Sequence, residues 1–154
     1  MGTTNDKEEK LSEQNKTLAR RWFEDLFSRG NLDAAKEILN ADFVDHLPRE
    51  EERGLEELKQ YVIWYRAAFP DIRDTVEELV AEGDKVVVRW MSRGIHQGEF
   101  RGVAPTGRHV TFTGMRLFRI AEGKIAESWV NIDELGLLEQ LGMVSPGLGH
   151  SKGT

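Results

Sequence analysis

Cysteine is absent from the 154-residue chain, proline is scarce, and no long apolar run occurs. Without cysteine there is no disulfide framework, no thiolate nucleophile and no cysteine-ligated metal, so the composition fits a reducing cytosol. Residues 1–10 are polar and charged, which predicts neither a signal peptide nor a membrane span. We therefore expect a cytoplasmic protein without a membrane partner.

Clustered positive charge is also lacking. The net charge is -6, the pI is about 5.3, and the basic residues are scattered along the chain. An acidic surface repels nucleic-acid backbones and anionic lipid, so we expect no nucleic-acid partner.

Several kinds of site have no support in the sequence. The four histidines do not show the short spacing of metal ligands, and no glycine-rich loop leads from a strand into a helix. The serines at positions 92, 128 and 145 lack the context of a nucleophile elbow. We expect no metal and no other cofactor.

Length and composition predict one domain. A hydrophobic content of 39% in 154 residues suits a single core that can enclose a small cavity. We predict a flexible N-terminal tail over residues 1–10, a single domain over residues 11–142 and a C-terminal tail over residues 143–154. His150 lies in that second tail and is expected to be inert.

Apolar residues recur at helical spacing before residue 30 and again after residue 54. The first run predicts an amphipathic helix that Gly30 ends, and Asn31 then caps a second helix over residues 32–39. The second run predicts a third helix over residues 55–69, stopped by Pro70. The two runs are Leu11, Leu18, Trp22, Phe23 and Leu26, and then Leu55, Leu58, Val62, Tyr65 and Phe69.

After this third helix the pattern changes to the alternation of strands. Two hairpins are predicted, one joining residues 76–80 to 86–90 and the other joining 115–120 to 125–132. A last short helix is predicted over residues 134–141. Helices followed by a long antiparallel meander predict an α+β domain whose curved sheet leaves a hollow on its concave side.

Asp133 ends the last predicted strand, four residues after Trp129 and on the same face. An apolar pocket raises the pKa of a carboxyl group, which suits Asp133 to removing a carbon-bound proton. The alternative is structural, because aspartate is among the best N-caps and Asp133 directly precedes the last helix.

The element order and four segments together resemble the SnoaL-like polyketide cyclases and ester cyclases. The segments are residues 42–46, 94–107, 123–133 and 140–142, and the resemblance covers about residues 11–142. That family belongs to the nuclear transport factor 2-like superfamily. The resemblance implies a cone-shaped roll in which three N-terminal helices pack on a strongly curved, mainly antiparallel sheet around a pocket.

The resemblance also implies an activity. Family members close a ring by an intramolecular aldol condensation without a cofactor, using an aspartate at the position matched here by Asp133. The implied ligand is a small, hydrophobic, carbonyl-bearing molecule. Two departures are visible: Ile95 stands where the family has threonine, and Arg116 and Arg119 stand near the position at which cyclases place a histidine.

We predict the remaining site residues from this framework. His96, His46 and Arg89 join Asp133 as candidate catalytic residues, since they could donate hydrogen bonds to an enolate oxygen. On a regular strand Arg89 and His96 point to opposite faces, and only a bulge at Gly94 would bring both inward. The predicted pocket residues are Phe43, Trp64, Met115, Arg119, Trp129 and Asn131.

Other functions remain open on the sequence. The alternatives are a ketosteroid-isomerase-like isomerase and a non-catalytic module for small-ligand binding or dimerisation. An epoxide hydrolase would need an arginine and a second carboxylate to hold water, and the sequence does not place that set. Val130 and Ile132, expected on an outer sheet face, predict a homodimer through the sheet.

Overall fold

The computed structural model describes residues 3–145, and its elements follow the predicted order of helices before sheet. Within that part of the chain the helices are α1 (Thr4–Arg21), continued by a π-helix (Trp22–Ser28), α2 (Asp33–Ile38), a 3-10 turn (Pro48–Glu50), α3 (Leu55–Ala68) and α4 (Glu134–Gln140). The strands are β1 (Leu39–His46), β2 (Glu52–Arg53), β3 (Arg73–Glu82), β4 (Lys85–Ile95), β5 (His109–Ala121) and β6 (Lys124–Ile132).

The strands form one six-stranded sheet in the order β2-β1-β6-β5-β4-β3. Every pairing is antiparallel except that of β1 with β6, which is parallel. This confirms the predicted α+β class with a mainly antiparallel sheet and both predicted hairpins. The sequence did not predict β1 and β2, which precede α3 and extend the sheet beyond β6.

Helix α1 begins at Thr4, seven residues before the predicted start. Thr3 Oγ1 accepts a hydrogen bond from the Asp6 backbone, and the Asp6 carboxylate accepts one from the Thr3 backbone, which forms a capping box. Residues 4–10 therefore form about two exposed helical turns, where a flexible tail was predicted. Residues 1–2 and 146–154, including His150, lie outside the described residues.

The π-helix directs four large side chains into the core: Trp22, Phe23, Leu26 and Phe27. Its wider turn is seen where the Arg29 backbone N–H bonds the carbonyl of Glu24, five residues earlier. The Trp22 ring lies 5.4 Å from that of Phe118 on β5, and Phe23 lies 4.9 Å from Trp90 on β4. The helix layer and the inner sheet face are thus joined by aromatic contacts.

A β-bulge at Ala126 decides which residues of β6 face inward. Ile120 pairs with Ile125 and Arg119 with Glu127, so Ala126 is the extra residue. On a regular strand Ile125 and Trp129, four residues apart, would share one face. The bulge between them reverses the alternation, so Ile125 is fully buried and Trp129 points outward. Val130 and Ile132 consequently face the interior, where they contact the core. This corrects the prediction that they form an apolar outer face.

Strand β4 runs without a register shift from Lys85 to Ile95, so the bulge considered at Gly94 is not there. The predicted alternation is confirmed: Trp90, Ser92 and His96 lie on the buried face, and Arg89 lies on the outer face.

Candidate active site

A cavity of about 550 Å³ lies between the helices and the inner face of the sheet. Eight aromatic side chains and two polar groups line its interior, and the other charged lining residues, Arg49, Glu51, Glu52, Arg101 and Glu134, lie toward solvent. The aromatic lining consists of Trp22, Phe23, Phe27, Tyr61, Tyr65, Trp90, Phe100 and Phe112. The polar groups are Asp74 with Ser92, and Arg53 with Arg116. A largely apolar cavity with a few converging polar groups is the usual form of a small-molecule site.

Asp74, near the start of β3, is held by a short chain of hydrogen bonds. The indole N–H of Trp90 donates to Ser92 Oγ at 3.0 Å, and Ser92 Oγ donates to Asp74 Oδ1 at 2.6 Å. Since an indole can only donate, the Ser92 proton is directed to the carboxyl group. Asp74 Oδ2 has no hydrogen-bond partner among residues 3–145, which leaves that oxygen to a bound molecule.

Burial raises the pKa of Asp74 to about 7, against the opposing effects of the Ser92 hydrogen bond and the positive charges of Arg116 and Arg66. Tyr65 lines the same cavity, and burial together with the nearby charges of Asp74 and Tyr61 raises the pKa of its phenol well above the usual value. Near neutral pH, Asp74 therefore exchanges a proton readily while Tyr65 keeps its own.

The second polar group is built around Asp45 of β1, which is fully buried. Its Oδ1 accepts from Arg116 Nη1 at 2.5 Å and from Ser128 Oγ at 2.6 Å, and its Oδ2 accepts from Arg53 Nη2 at 2.7 Å. Burial alone would raise the pKa of Asp45, but the charges of Arg116 and Arg53 and the hydrogen bonds outweigh it and lower that pKa. Asp45 thus stays ionised and fixes both guanidinium groups.

The two guanidinium groups also rest on aromatic rings. Arg116 lies 4.5 Å from the centre of the Trp22 ring, and Arg53 lies 4.1 Å from that of Tyr61. Each ring holds its guanidinium from a second side, in addition to the bond to Asp45.

Asp133 caps α4, as the structural alternative predicted. Its Oδ1 accepts a hydrogen bond from the Gly136 backbone at 2.9 Å, and the residue is exposed. It does not line the cavity, whereas its neighbours Ile132 and Glu134 do. A catalytic role for Asp133 stays a prediction.

His96 is fully buried, in contact with Phe69 at the far end of β4, and does not line the cavity. Its Nδ1 accepts from the Thr106 backbone at 3.2 Å and lies 3.0 Å from the Thr106 hydroxyl. His46 lies on the outer sheet face, where it stacks on Trp129 and bonds Glu127 at 2.8 Å.

The remaining predicted site residues are also placed away from the cavity lining. Arg89 pairs with Glu77 and Glu78 on the outer face. Arg119 pairs with Glu127. The others are the exposed Met115, Trp129 and Asn131, the core residue Phe43, and Trp64, which stacks behind the lining residue Phe100.

The sequence carried signals for the residues that do line the site. Arg116 is the one charged residue in the alternating series Phe112, Gly114, Arg116, Phe118, Ile120, which is the pattern of a buried charge on an apolar face. Asp74 was missed because the predicted strand began only at residue 76. Asp45 alternates with Phe43, but β1 itself was not predicted.

Among residues 3–145 no three His, Cys, Asp or Glu side chains are grouped as metal ligands. In the same part of the chain no helix is long and apolar enough to cross a membrane.

The chain is similar to known proteins over most of its length. The model of the SnoaL-like polyketide cyclase family matches residues 17–141. Nogalonic acid methyl ester cyclase of Streptomyces nogalater is 30% identical over 119 residues, covering 75% of this chain and 89% of the relative. Aklanonic acid methyl ester cyclase DnrD of Streptomyces peucetius is 30% identical over 131 residues, covering 81% of this chain and 88% of the relative.

Solved structures agree with the sequence relatives. IdmH, a proposed polyketide cyclase of Streptomyces antibioticus, superposes with a TM-score of 0.76 at 33% identity, covering 84% of this chain and 99% of IdmH. AclR, a proposed hydroxylase of Streptomyces galilaeus, superposes with a TM-score of 0.80 at 28% identity, covering 88% of this chain and 85% of AclR. The fold predicted from the family resemblance is confirmed.

Proposed function

Because the chain belongs to the SnoaL-like polyketide cyclase family, we propose that it closes a ring in a small, carbonyl-bearing polyketide by an intramolecular aldol reaction. The observation that carries the proposal is Asp74, a carboxyl group with a pKa of about 7 on the wall of an aromatic cavity. Two relatives are named as methyl ester cyclases, which supports a polyketide acid or its methyl ester as substrate.

Asp74 is the proposed acid/base. Its carboxylate removes a proton from the carbon beside a substrate carbonyl, and the resulting enolate carbon attacks a second carbonyl of the same molecule. One C–C bond forms, and the proton held by Asp74 passes to the new alkoxide oxygen. No electrons are exchanged with the protein, so the step needs no redox partner. A base with a pKa near the working pH serves both half-steps.

The surrounding groups support this assignment. Tyr65 keeps its proton and can donate it as a hydrogen bond to the enolate oxygen as negative charge develops. Arg116, whose positive charge lowers the pKa of Asp74, favours negative charge in the same cavity. The aromatic walls exclude water and hold a flat substrate in one orientation.

Asp133 remains the second candidate for the base, on the strength of the family resemblance. Its exposed position and its bond to the Gly136 backbone favour the capping role. Asp74→Asn and Asp133→Asn separate the two candidates, because each replacement removes a base and keeps the size of the side chain.

The test is to incubate the protein with nogalonic acid methyl ester, with aklanonic acid methyl ester and with the two free acids, and to identify the products by NMR. A product with one new ring and unchanged mass supports the proposal. A product with a shifted double bond and no new ring identifies an isomerase instead. Binding without turnover of any of these compounds identifies a binding module.

We also propose a homodimer through the outer face of the sheet. Exposed Met115 and Trp129 lie on that face, 52% and 37% accessible. A monomeric mass at micromolar concentration by light scattering would remove this proposal.

A further inference from the structure

We propose that the Arg53–Arg116 pair is a carboxylate-binding subsite, so that the ligand of this cavity is an anion with a carboxylate at one end. As a statement about the substrate this rests on the proposed function, and it requires a polyketide with a free carboxylate, which a methyl ester lacks at the esterified group. As a statement about binding it stands on the geometry alone.

The arrangement around Asp45 shows that the pair can bridge a carboxylate. One carboxylate, that of Asp45, already spans the two guanidinium groups, with Oδ1 on Arg116 and Oδ2 on Arg53. A carboxylate approaching from the cavity meets the same two groups from the opposite side. Planar guanidinium groups favour such paired contacts with carboxylates.

Donors are left over on both arginines. Arg116 uses Nη1 for Asp45 and Ser128, and Arg53 uses Nη2 for Asp45. The Nε atoms of both residues are buried without a hydrogen-bond partner among residues 3–145. Both arginines line the cavity, and no residue in that part of the chain accepts a hydrogen bond from Arg116 Nη2 or Arg53 Nη1. These two nitrogens are the contacts offered to a ligand.

The charges around the cavity also favour an anionic ligand. Two mostly buried cations share one buried anion, Asp45, and the cavity's other buried carboxyl group, Asp74, keeps its proton below its pKa of about 7, so positive charge is in excess at the two arginines at pH 6. The other charged lining residues, Arg49, Glu51, Glu52, Arg101 and Glu134, lie toward solvent, and Arg101 is paired with Glu134. A ligand carboxylate completes the balance, whereas a neutral ligand leaves a buried charge unpaired.

The experiment compares 2-naphthoate with 2-naphthamide, which has the same shape and no charge, by calorimetry at about pH 6, where the acid is ionised. We expect the amide to bind roughly 10- to 100-fold more weakly than the acid. Equal affinities, or no measurable binding of the acid, would overturn the proposal. This comparison uses the wild-type protein and does not depend on any variant folding.

Variants then locate the subsite. Arg53→Gln and Arg116→Met should each reduce the affinity for naphthoate roughly tenfold or more and leave that for naphthamide nearly unchanged. Arg20→Met is the matched control, since Arg20 lies exposed on α1 beside Glu24 and should change neither affinity. Circular dichroism establishes that each variant is folded. An acid preference that survives both cavity variants, or that Arg20→Met abolishes, contradicts the assignment.

The result is independent of catalysis. An acid preference without ring closure keeps the subsite and rejects the cyclase proposal. Ring closure without an acid preference keeps the cyclase proposal and rejects the subsite.

Discussion

Ser92 and Asp74 are joined by a hydrogen bond of 2.6 Å in which the hydroxyl donates to Oδ1 of the carboxyl group. Trp90 fixes the direction of that bond, since its indole N–H donates to Ser92 Oγ and leaves the hydroxyl proton for Asp74. The consequence is a carboxyl group with one oxygen held and the other, Oδ2, left for a bound molecule.

Ser92→Ala should raise the pKa of Asp74 further, because the Ser92 hydrogen bond favours the ionised form. The same change leaves the Trp90 indole without its partner and should cost about 1–3 kcal/mol of unfolding free energy. NMR titration of the Asp74 carboxyl carbon measures the pKa, and chemical denaturation measures the stability. A pKa that stays the same or falls would show that this bond does not control Asp74.

Asp74 should also make the protein less stable as the pH rises. Its folded pKa of about 7 exceeds the ordinary aspartate value, so between about pH 4 and pH 7 the folded state keeps a proton that the unfolded chain has lost. The stabilisation is present in full below that window and is lost as the pH rises through about 7. The slope approaches about 1.4 kcal/mol per pH unit in mid-window.

Asp74→Asn removes this titration and is the matched variant. Denaturation between pH 5 and pH 8 measures the unfolding free energy of both proteins. The value for the variant minus that for the wild type should increase up to about pH 7 and stay constant above it. Parallel stability curves for the two proteins would contradict the assigned pKa.

Asp45→Ala should destabilise the protein by about 3–5 kcal/mol, because it leaves the buried Arg116 and the mostly buried Arg53 without their anion. Glu13→Ala is the control, since Glu13 is exposed on α1 and its loss should change stability by less than about 0.5 kcal/mol. Denaturation of both variants checks the prediction. Similar small losses would mean that the arginines find other partners.

Gly114→Ala should disturb the cavity wall. A Cβ at position 114 would overlap Cη2 of Trp90, whose ring lies across the glycine. The ring must shift, and we expect a loss of about 1–3 kcal/mol with a changed tryptophan fluorescence spectrum. Thr113→Ala, at the exposed neighbouring position, serves as the control. An unchanged spectrum and stability in Gly114→Ala would show that Trp90 is not confined there.

Much of the fold could be predicted from the sequence because its signals are local. The helical spacing around Trp22 and Tyr65 and the turns at Gly83 and Gly123 set the helices and hairpins. The face of β6 could not be predicted, because the bulge at Ala126 depends on pairing with β5 and leaves no mark in the alternation. Because of that one extra residue, Trp129, which was predicted to line the pocket, lies on the outer face of the sheet.

The residues of the candidate site also differ in whether local sequence signals could predict them. Arg116 was visible as a charge within an apolar series, whereas Asp74 gains its properties only from the burial that tertiary packing provides. Asp45 depends on the parallel pairing of β1 with β6, which joins segments some eighty residues apart in the chain.

The central claim is that Asp74 moves the proton, and the most direct measurement compares turnover by Asp74→Asn and Asp133→Asn on whichever polyketide acid or methyl ester the wild-type protein cyclises. Asparagine caps helices about as well as aspartate, so Asp133→Asn should keep both its melting temperature and its rate. Asp74→Asn should remain folded and lose about 10²- to 10⁴-fold in rate. A loss of that size in Asp133→Asn, with full activity in Asp74→Asn, would contradict the account.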